Sequence, residues 1–324
     1  MMARARKEQA KEGVPMQTSL LPYFDSPLTK AVKSVSHFLA NPFFELDRKA
    51  KRRELTYQDG AIKIEMKALE GQGLATIYDR DLLLYVGSLM AQKIKNGEID
   101  PAKAGSSEEE RTFIFTANDF IRIAGRDRSG RGYDRIEEMV DRLKGTMVKT
   151  NIKSGRTTIK GYFSWLSDGT MLEFVDDEEG KPRLRFIRVV LCKWLYESML
   201  GDANQLELVP EYFGLTPIAR RLYDLAHVNC QGERLWEIDL GSLHKQVGCS
   251  MLPRKFADEL RAIAEADVLP QYRFRFTDKN ISPRKGRGRP PVNGVVIEFT
   301  PRDVVLEGAT PRQPDLFTLE APMS

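Results

Sequence analysis

The sequence predicts an α+β chain of two tandem units of like order, each three helices followed by a β-hairpin, with flexible segments at both ends. Segments of helical apolar period and short β-type runs follow one another in the same order in both halves, and each half closes on strands around a polar, Gly-containing turn. At 324 residues the chain is long enough to bury two cores of ordinary domain size.

In the first half, Asp81 to Lys95 carries apolar residues at helical spacing, with Asp79 or Asp81 as cap and Gly97 as stop. Phe113-Ile114-Phe115 is a short β-type run. Thr116 and Asp119 have the spacing of a capping box for a helix ending at Ala124. After the loop Gly125 to Gly130, the residues Tyr133, Ile136, Val140 and Leu143 recur on one helical face, predicting a third helix over 133–145. Met147 to Ile152 and Thr157 to Trp165 are expected to pair around the turn Lys153-Ser154-Gly155-Arg156, with further strands at Met171 to Val175 and Leu184 to Val190.

The second half repeats the order. Pro217 to Val228 reads as a helix, Trp236-Glu237-Ile238 as a strand and Asp239 to Val247 as a capped helix. Pro253 then stands where a first-turn proline belongs, and Phe256, Leu260 and Ile263 give one apolar face. Tyr272-Arg273-Phe274-Arg275-Phe276 and Val295 to Phe299 are strands on either side of a long basic loop. Helix, helix, helix, hairpin is the order of a winged helix-turn-helix. The expected organisation is a flexible segment 1–19, a first winged-helix domain 20–200, a second 201–300, and a flexible, Pro-containing tail 301–324.

The formal charge is only +4, so the grouping of Lys and Arg is more telling than their excess, and groups of cations point to anionic partners. In helix-turn-helix proteins the third helix enters the major groove, where Arg and Lys reach base edges and phosphates. Arg254, Lys255 and Arg261 are the DNA-contact candidates of the second unit, with a solvated helix face as the competing reading. The loop Arg284-Lys285-Gly286-Arg287-Gly288-Arg289-Pro290 is more specific. Its glycines allow close backbone approach, and extended Arg287 and Arg289 suit the negative potential of a narrow A/T-rich minor groove. The run from Arg287 to Pro290 resembles the core of an AT-hook. In the first unit Arg131, Arg135 and Arg142 on the third helix, with Lys153 and Arg156 in the turn after it, serve either DNA phosphates or a partner protein, since Asp134, Glu137, Glu138 and Asp141 dilute their charge. The basic run Arg48 to Arg53 is assigned at most non-specific DNA contact.

No catalytic constellation, metal or cofactor is expected. A Gly-rich loop ending in Gly-Lys-Ser/Thr is missing, so any nucleotide-driven unwinding is assigned to a partner. His37, His227 and His244 are isolated, unlike the paired histidines of a metal-dependent nicking enzyme. Cys192, Cys230 and Cys249 are odd in number and widely spaced, which fits a reducing cytoplasm, and no apolar run is long enough to span a bilayer.

Leu21-Pro22-Tyr23-Phe24, Asn41-Pro42-Phe43-Phe44, Gly73 to Asp81 and Leu215 to Tyr223 are stretches in which the chain resembles the plasmid replication initiator protein A family, related in architecture to initiators that bind origin repeats called iterons. The resemblance implies that the second winged helix makes the main contacts to double-stranded origin DNA. It also implies that the first supports dimerisation or adjacent DNA binding, with a monomer–dimer equilibrium separating initiating from autorepressing forms. An operator-binding repressor without initiator activity is the alternative, since it would use the same fold and charges. Finally, Gln313-Pro314-Asp315-Leu316-Phe317 resembles the pentapeptide that docks bacterial proteins on the replicative sliding clamp, Gln313 fixing direction and Leu316 and Phe317 anchoring; Gln17 to Leu21 resembles it less well.

Overall fold

The computed structural model describes residues 32–47, 49, 51–126, 130–154, 158, 160–176, 179–201, 206–230, 235–278 and 295–303. Its α+β architecture contains two groups of elements that share order and strand pairing, except that two further strands intervene in the first between its last helix and its closing hairpin. The first runs α2 (Arg80–Lys95), β4 (Thr112–Thr116), α3 (Ala117–Ile123), α4 (Gly130–Gly145), β7 (Met171–Asp176) and β8 (Pro182–Val190). The second runs α6 (Pro217–Asn229), β10 (Trp236–Asp239), α7 (Leu240–Val247), α8 (Pro253–Ala266), β11 (Tyr272–Asp278) and β12 (Val295–Pro301). In each, the last strand lies in the middle of an antiparallel three-stranded sheet, ordered β4-β8-β7 and β10-β12-β11.

The same local chemistry starts the middle helix of both units. Thr116 Oγ1 accepts a 3.1 Å hydrogen bond from the Asp119 amide at the head of α3. Asp239 Oδ1 accepts one of 2.9 Å from the Ser242 amide at the head of α7. Each satisfies an amide that has no partner within its helix. Beyond the caps, apolar faces turn inward: Ile136, Met139, Val140 and Leu143 of α4, and Phe256, Ala257, Leu260 and Ile263 of α8, are buried.

The expected pairing on either side of Lys153–Arg156 is present but short, Met147↔Ser164 and Val148↔Phe163, and it belongs to a different sheet from the one that matches the second unit. A second sheet, ordered β2-β3-β5-β6, is built from β2 (Glu54–Asp59), β3 (Ile62–Ala68), β5 (Thr146–Thr150) and β6 (Phe163–Ser164). The edge of β3 pairs with β5 from Ile64↔Thr150 to Ala68↔Thr146, and β6 adds only two residues on the far side. The chain after β5 is then drawn inward. The buried Ser154 hydroxyl donates to the Trp194 carbonyl and accepts a 3.0 Å hydrogen bond from Ser198 Oγ, both on α5 (Lys193–Gly201). The hairpin equivalent to β11–β12 is therefore β7–β8, and Lys153 lies outside it.

The two units share one apolar core rather than meeting only at a linker. β1 (Val32–Ser34) pairs with β9 (Leu206–Leu208), and α1 (Ser36–Ala40) packs on α6. The following Phe43 and Phe44, with Phe38, enter a cage formed with Trp165 and Trp194, with ring centroids 5.2 to 5.7 Å apart in the closest pairs. Pro42 fixes the end of α7 as well. Gly248 ends that helix at φ +75°, and a Cβ there would come within 2.5 Å of the Pro42 Cβ, so both backbone angle and space select glycine.

Candidate nucleic-acid interface

Helix α8 is set on its core by its apolar face, which leaves its first turn exposed. Arg254 and Lys255 project there, and among the described residues neither has an acidic partner within 4 Å. The turn from α7 is fixed by His244, whose Nε2 lies 2.8 Å from the Met251 carbonyl and whose ring packs 4.8 Å from that of Phe256. Arg261, about two turns further on, is exposed but held: Nη1 lies 2.8 Å from Asp258 Oδ1, and its guanidinium lies 5.6 Å from the Phe276 ring centre.

Strand β11 continues the basic surface. Tyr272 and Phe274 face the core, while Arg273 and Arg275 face outward beside Asp267 at 3.3 Å and Glu298 at 2.6 Å. In the sequence these two arginines show as an aromatic-basic alternation, a strand signal that does not by itself mark a binding face. Arg284, Lys285, Arg287 and Arg289 follow β11 and lie outside the described residues, as do Arg156, Gln313, Leu316, Phe317 and the segment Gln17–Leu21.

On the first unit Arg135 is exposed on α4, Lys153 is exposed beyond β5, and Arg131 lies in the first turn of α4 with its side chain outside the description. Arg142 sits differently. Its Nε and Nη2 donate to the two Asp79 carboxylate oxygens at 2.8 and 2.9 Å, and Nη1 lies 3.4 Å from Glu138. This hydrogen bonding holds the Arg142 guanidinium above its ordinary pKa. In the basic run before β2, Arg52 lies 3.5 Å from the buried Glu45, whereas Lys49, Lys51 and Arg53 are exposed.

Asp79 belongs to a charged seam that the sequence did not reveal. At the head of α2, Arg80 makes a two-point contact with Asp224 of α6 at 2.8 and 3.1 Å. Its neighbour Asp81 accepts from Arg220 of α6 at 2.7 Å and from Arg126 at 3.0 Å. Arg221 donates to the carbonyls of Leu39, Ala40 and Gln246, gathering the ends of α1 and α7, and burial pushes its pKa down to about 10. Aromatic rings close the seam: the Arg220 guanidinium stands 4.6 Å from the Tyr78 ring centre and 5.1 Å from that of Tyr212. A cavity of about 400 Å³ opens beside it, lined in part by Tyr78, Arg126, Arg135, Arg142 and Phe213. Its arginines other than Arg135 are already engaged with carboxylates or carbonyls.

The family model of replication initiator protein A matches residues 33–274, a span that includes the first unit, the seam and the second unit as far as the start of β11. A curated relative described as a putative replication protein of Wigglesworthia glossinidia brevipalpis is 27% identical over 239 residues, covering 74% of this chain and 82% of that one. Among solved structures, domains 2 and 3 of RctB align with a TM-score of 0.54 at 14% identity, over 82% of this chain and 98% of theirs, which shows a shared fold. A second structure of the same RctB domains aligns with a TM-score of 0.49 at 14% identity, over 80% and 94%. The chain belongs to the replication initiator protein A family. In its general function it is a replication initiator.

Proposed function

We propose that this initiator binds repeated origin DNA, iterons, through two linked winged-helix units, with α8 of the second unit in the major groove. The observation that carries the reading is the exposed first turn of α8: Arg254 and Lys255 stand on a helix whose opposite face is wholly buried, beside the outward Arg273 and Arg275. In this docking geometry the N-terminal residues of the third helix meet base edges while nearby cations set the register on phosphates. Arg261 supports the surface from its contact with Asp258. The loop with Arg284, Lys285, Arg287 and Arg289 leaves β11 and serves as the wing, reaching the minor groove of A/T-rich flanks.

The first unit is assigned to dimerisation or auxiliary DNA contact through Arg131 and Arg135, with Lys153 and Arg156 behind it. A homodimer in equilibrium with monomer then separates autorepression from initiation in a bacterial cytoplasm. The host replicative helicase supplies unwinding, and the tail at Gln313, Leu316 and Phe317 docks on the sliding clamp. No described helix is long and apolar enough to cross a membrane.

Footprinting of the purified protein on DNA flanking its gene tests the central part. Protection of regularly spaced repeats, lost on Arg254→Ala with Lys255→Ala, is the expected result; unaltered protection removes α8 from the interface. A plasmid carrying only the gene and those repeats is expected to replicate. Promoter repression without replication would instead indicate a repressor. For the wing, Arg287→Ala with Arg289→Ala is expected to abolish protection of A/T-rich minor grooves. For the tail, Leu316→Ala with Phe317→Ala is expected to abolish capture by immobilised sliding clamp.

A further inference from the structure

Leu252 is 69% exposed, the most exposed large apolar side chain among the described residues, and its neighbour Met251 is 38% exposed. Their place is unusual. Leu252 is the N-cap of α8, a position at which Ser, Thr, Asp or Asn would satisfy a free helix amide, and its side chain makes no capping hydrogen bond. The corresponding caps of α3 and α7 are Thr116 and Asp239, both of which do so. The core gains little from a leucine held in solvent, and the helix forgoes a cap. The backbone does not require leucine either, because φ −61° and ψ 143° suit any residue and the Leu252 carbonyl already accepts the Phe256 amide at 3.0 Å.

Immediately beyond Leu252 stand Pro253 and the exposed Arg254 and Lys255. An apolar tip next to two cations matches the mixed chemistry of the major groove, where the thymine C5-methyl is the apolar feature and guanine edges and phosphates attract Arg and Lys. A carboxylate cap at the same point would face phosphates unfavourably. The residues that precede α4 in the sequence of the first unit, Gly125-Arg126-Asp127-Arg128-Ser129-Gly130, include no large apolar side chain to match Leu252.

We propose that Leu252, supported by Met251, is a specificity-determining residue that reads thymine methyl groups next to the bases contacted by Arg254. The inference rests on the reading that α8 enters the major groove, and it adds the class of base recognised there. His244 serves as its positioning residue, because its 2.8 Å hydrogen bond to the Met251 carbonyl sets the turn that presents both side chains.

The test uses the full-length protein and its protected duplex, with each thymine replaced in turn by deoxyuridine, which removes only the methyl group. For the unsubstituted chain, affinity should fall at one or two positions by about fourfold each, the effect of losing roughly one buried methyl contact. Leu252→Ala should bind more weakly and show no further loss at those positions. Leu252→Ser should do the same while keeping a thermal midpoint equal to or above that of the unsubstituted protein, since serine can cap α8. Indifference of the unsubstituted protein to every replacement would overturn the proposal. So would equal sensitivity in the Leu252 variants, or a lowered midpoint in Leu252→Ser, which would make the leucine structural. If the protein protected no duplex at all, the major-groove reading would fail first and take this inference with it, a result distinct from protection without methyl sensitivity.

Discussion

Arg80 and Asp224, 144 positions apart, face each other across the seam between the two units, with Nη1 and Oδ2 2.8 Å apart and side chains only 1% and 0% exposed. One pair to the side, Asp81 and Arg220 repeat the contact with the charges exchanged. The head of α2 and the first turns of α6 are thus joined by reciprocal ion pairs. Removing one member of such a pair leaves an uncompensated buried charge, which costs more than the intact pair contributes. Asp224→Ala, which strands both Arg80 and Arg221, is expected to destabilise the protein by about 3–5 kcal/mol in urea unfolding. The double variant Arg80→Met with Asp224→Leu should lose less than the two single changes added together.

Arg142 and Arg254 separate stability from binding. Arg142 is engaged with Asp79 through two hydrogen bonds, so Arg142→Ala should lower the unfolding midpoint by the loss of roughly 1.5–3 kcal/mol, typical of hydrogen bonds to charged groups, with little change in the salt dependence of DNA affinity. Arg254→Ala and Lys255→Ala should leave the midpoint unchanged. For each that contacts a phosphate, the slope of log affinity against log salt should decrease by about one. Parallel melting curves and salt titrations check both.

The capping residues give a matched pair across the units. Thr116→Ala and Asp239→Ala each remove one side-chain acceptor from a helix amide, and each should cost about 1 kcal/mol in equilibrium unfolding. A large difference between them would mean that the two middle helices are not held in equivalent ways.

Acid should weaken the second unit through His227. Its Nδ1 shares a 2.7 Å hydrogen bond with the Tyr272 hydroxyl, its ring stacks on Tyr223 at 5.3 Å, and burial holds its pKa below the ordinary 6.5. The unfolded chain therefore binds a proton more readily than the folded one. Stability is unaffected by this group above the unfolded pKa and falls as pH drops through 6.5 towards the lowered folded value. Stability measured from pH 8 to 5.5 should show this decline, and His227→Gln should flatten it.

Much of the fold was legible because its signals are local. The apolar period of α2, α4, α6 and α8, the caps Thr116 and Asp239 and the first-turn Pro253 all lie within a few residues of the structure they specify. The segments Met147 to Ile152 and Thr157 to Trp165 do pair, at two positions, but the sheet they join was not legible, for the opposite reason. Met147 to Ile152 has the alternation of a strand, but only its distant partner, Ile64 to Ala68, decides which sheet it joins. The seam was hidden in the same way, since no local spacing links Asp81 to Arg220. Two of the family-like stretches, Gly73 to Asp81 and Leu215 to Tyr223, turn out to be the two sides of that seam. For the interface, Arg254 and Lys255 were found from helical geometry. Leu252 carries no such signal, because an exposed leucine can be recognised only once burial is known.

Quantitative footprinting on the DNA flanking the gene, comparing the unsubstituted protein with Arg254→Ala/Lys255→Ala and with Arg131→Ala/Arg135→Ala, tests the assignment of sequence reading to the second unit most directly. Protection of regularly spaced repeats is expected to be lost in the α8 variant and retained by Arg131→Ala/Arg135→Ala. Protection that survived in the α8 variant but vanished with Arg131→Ala/Arg135→Ala, in proteins with unchanged melting curves, would contradict this assignment and move recognition to the first unit.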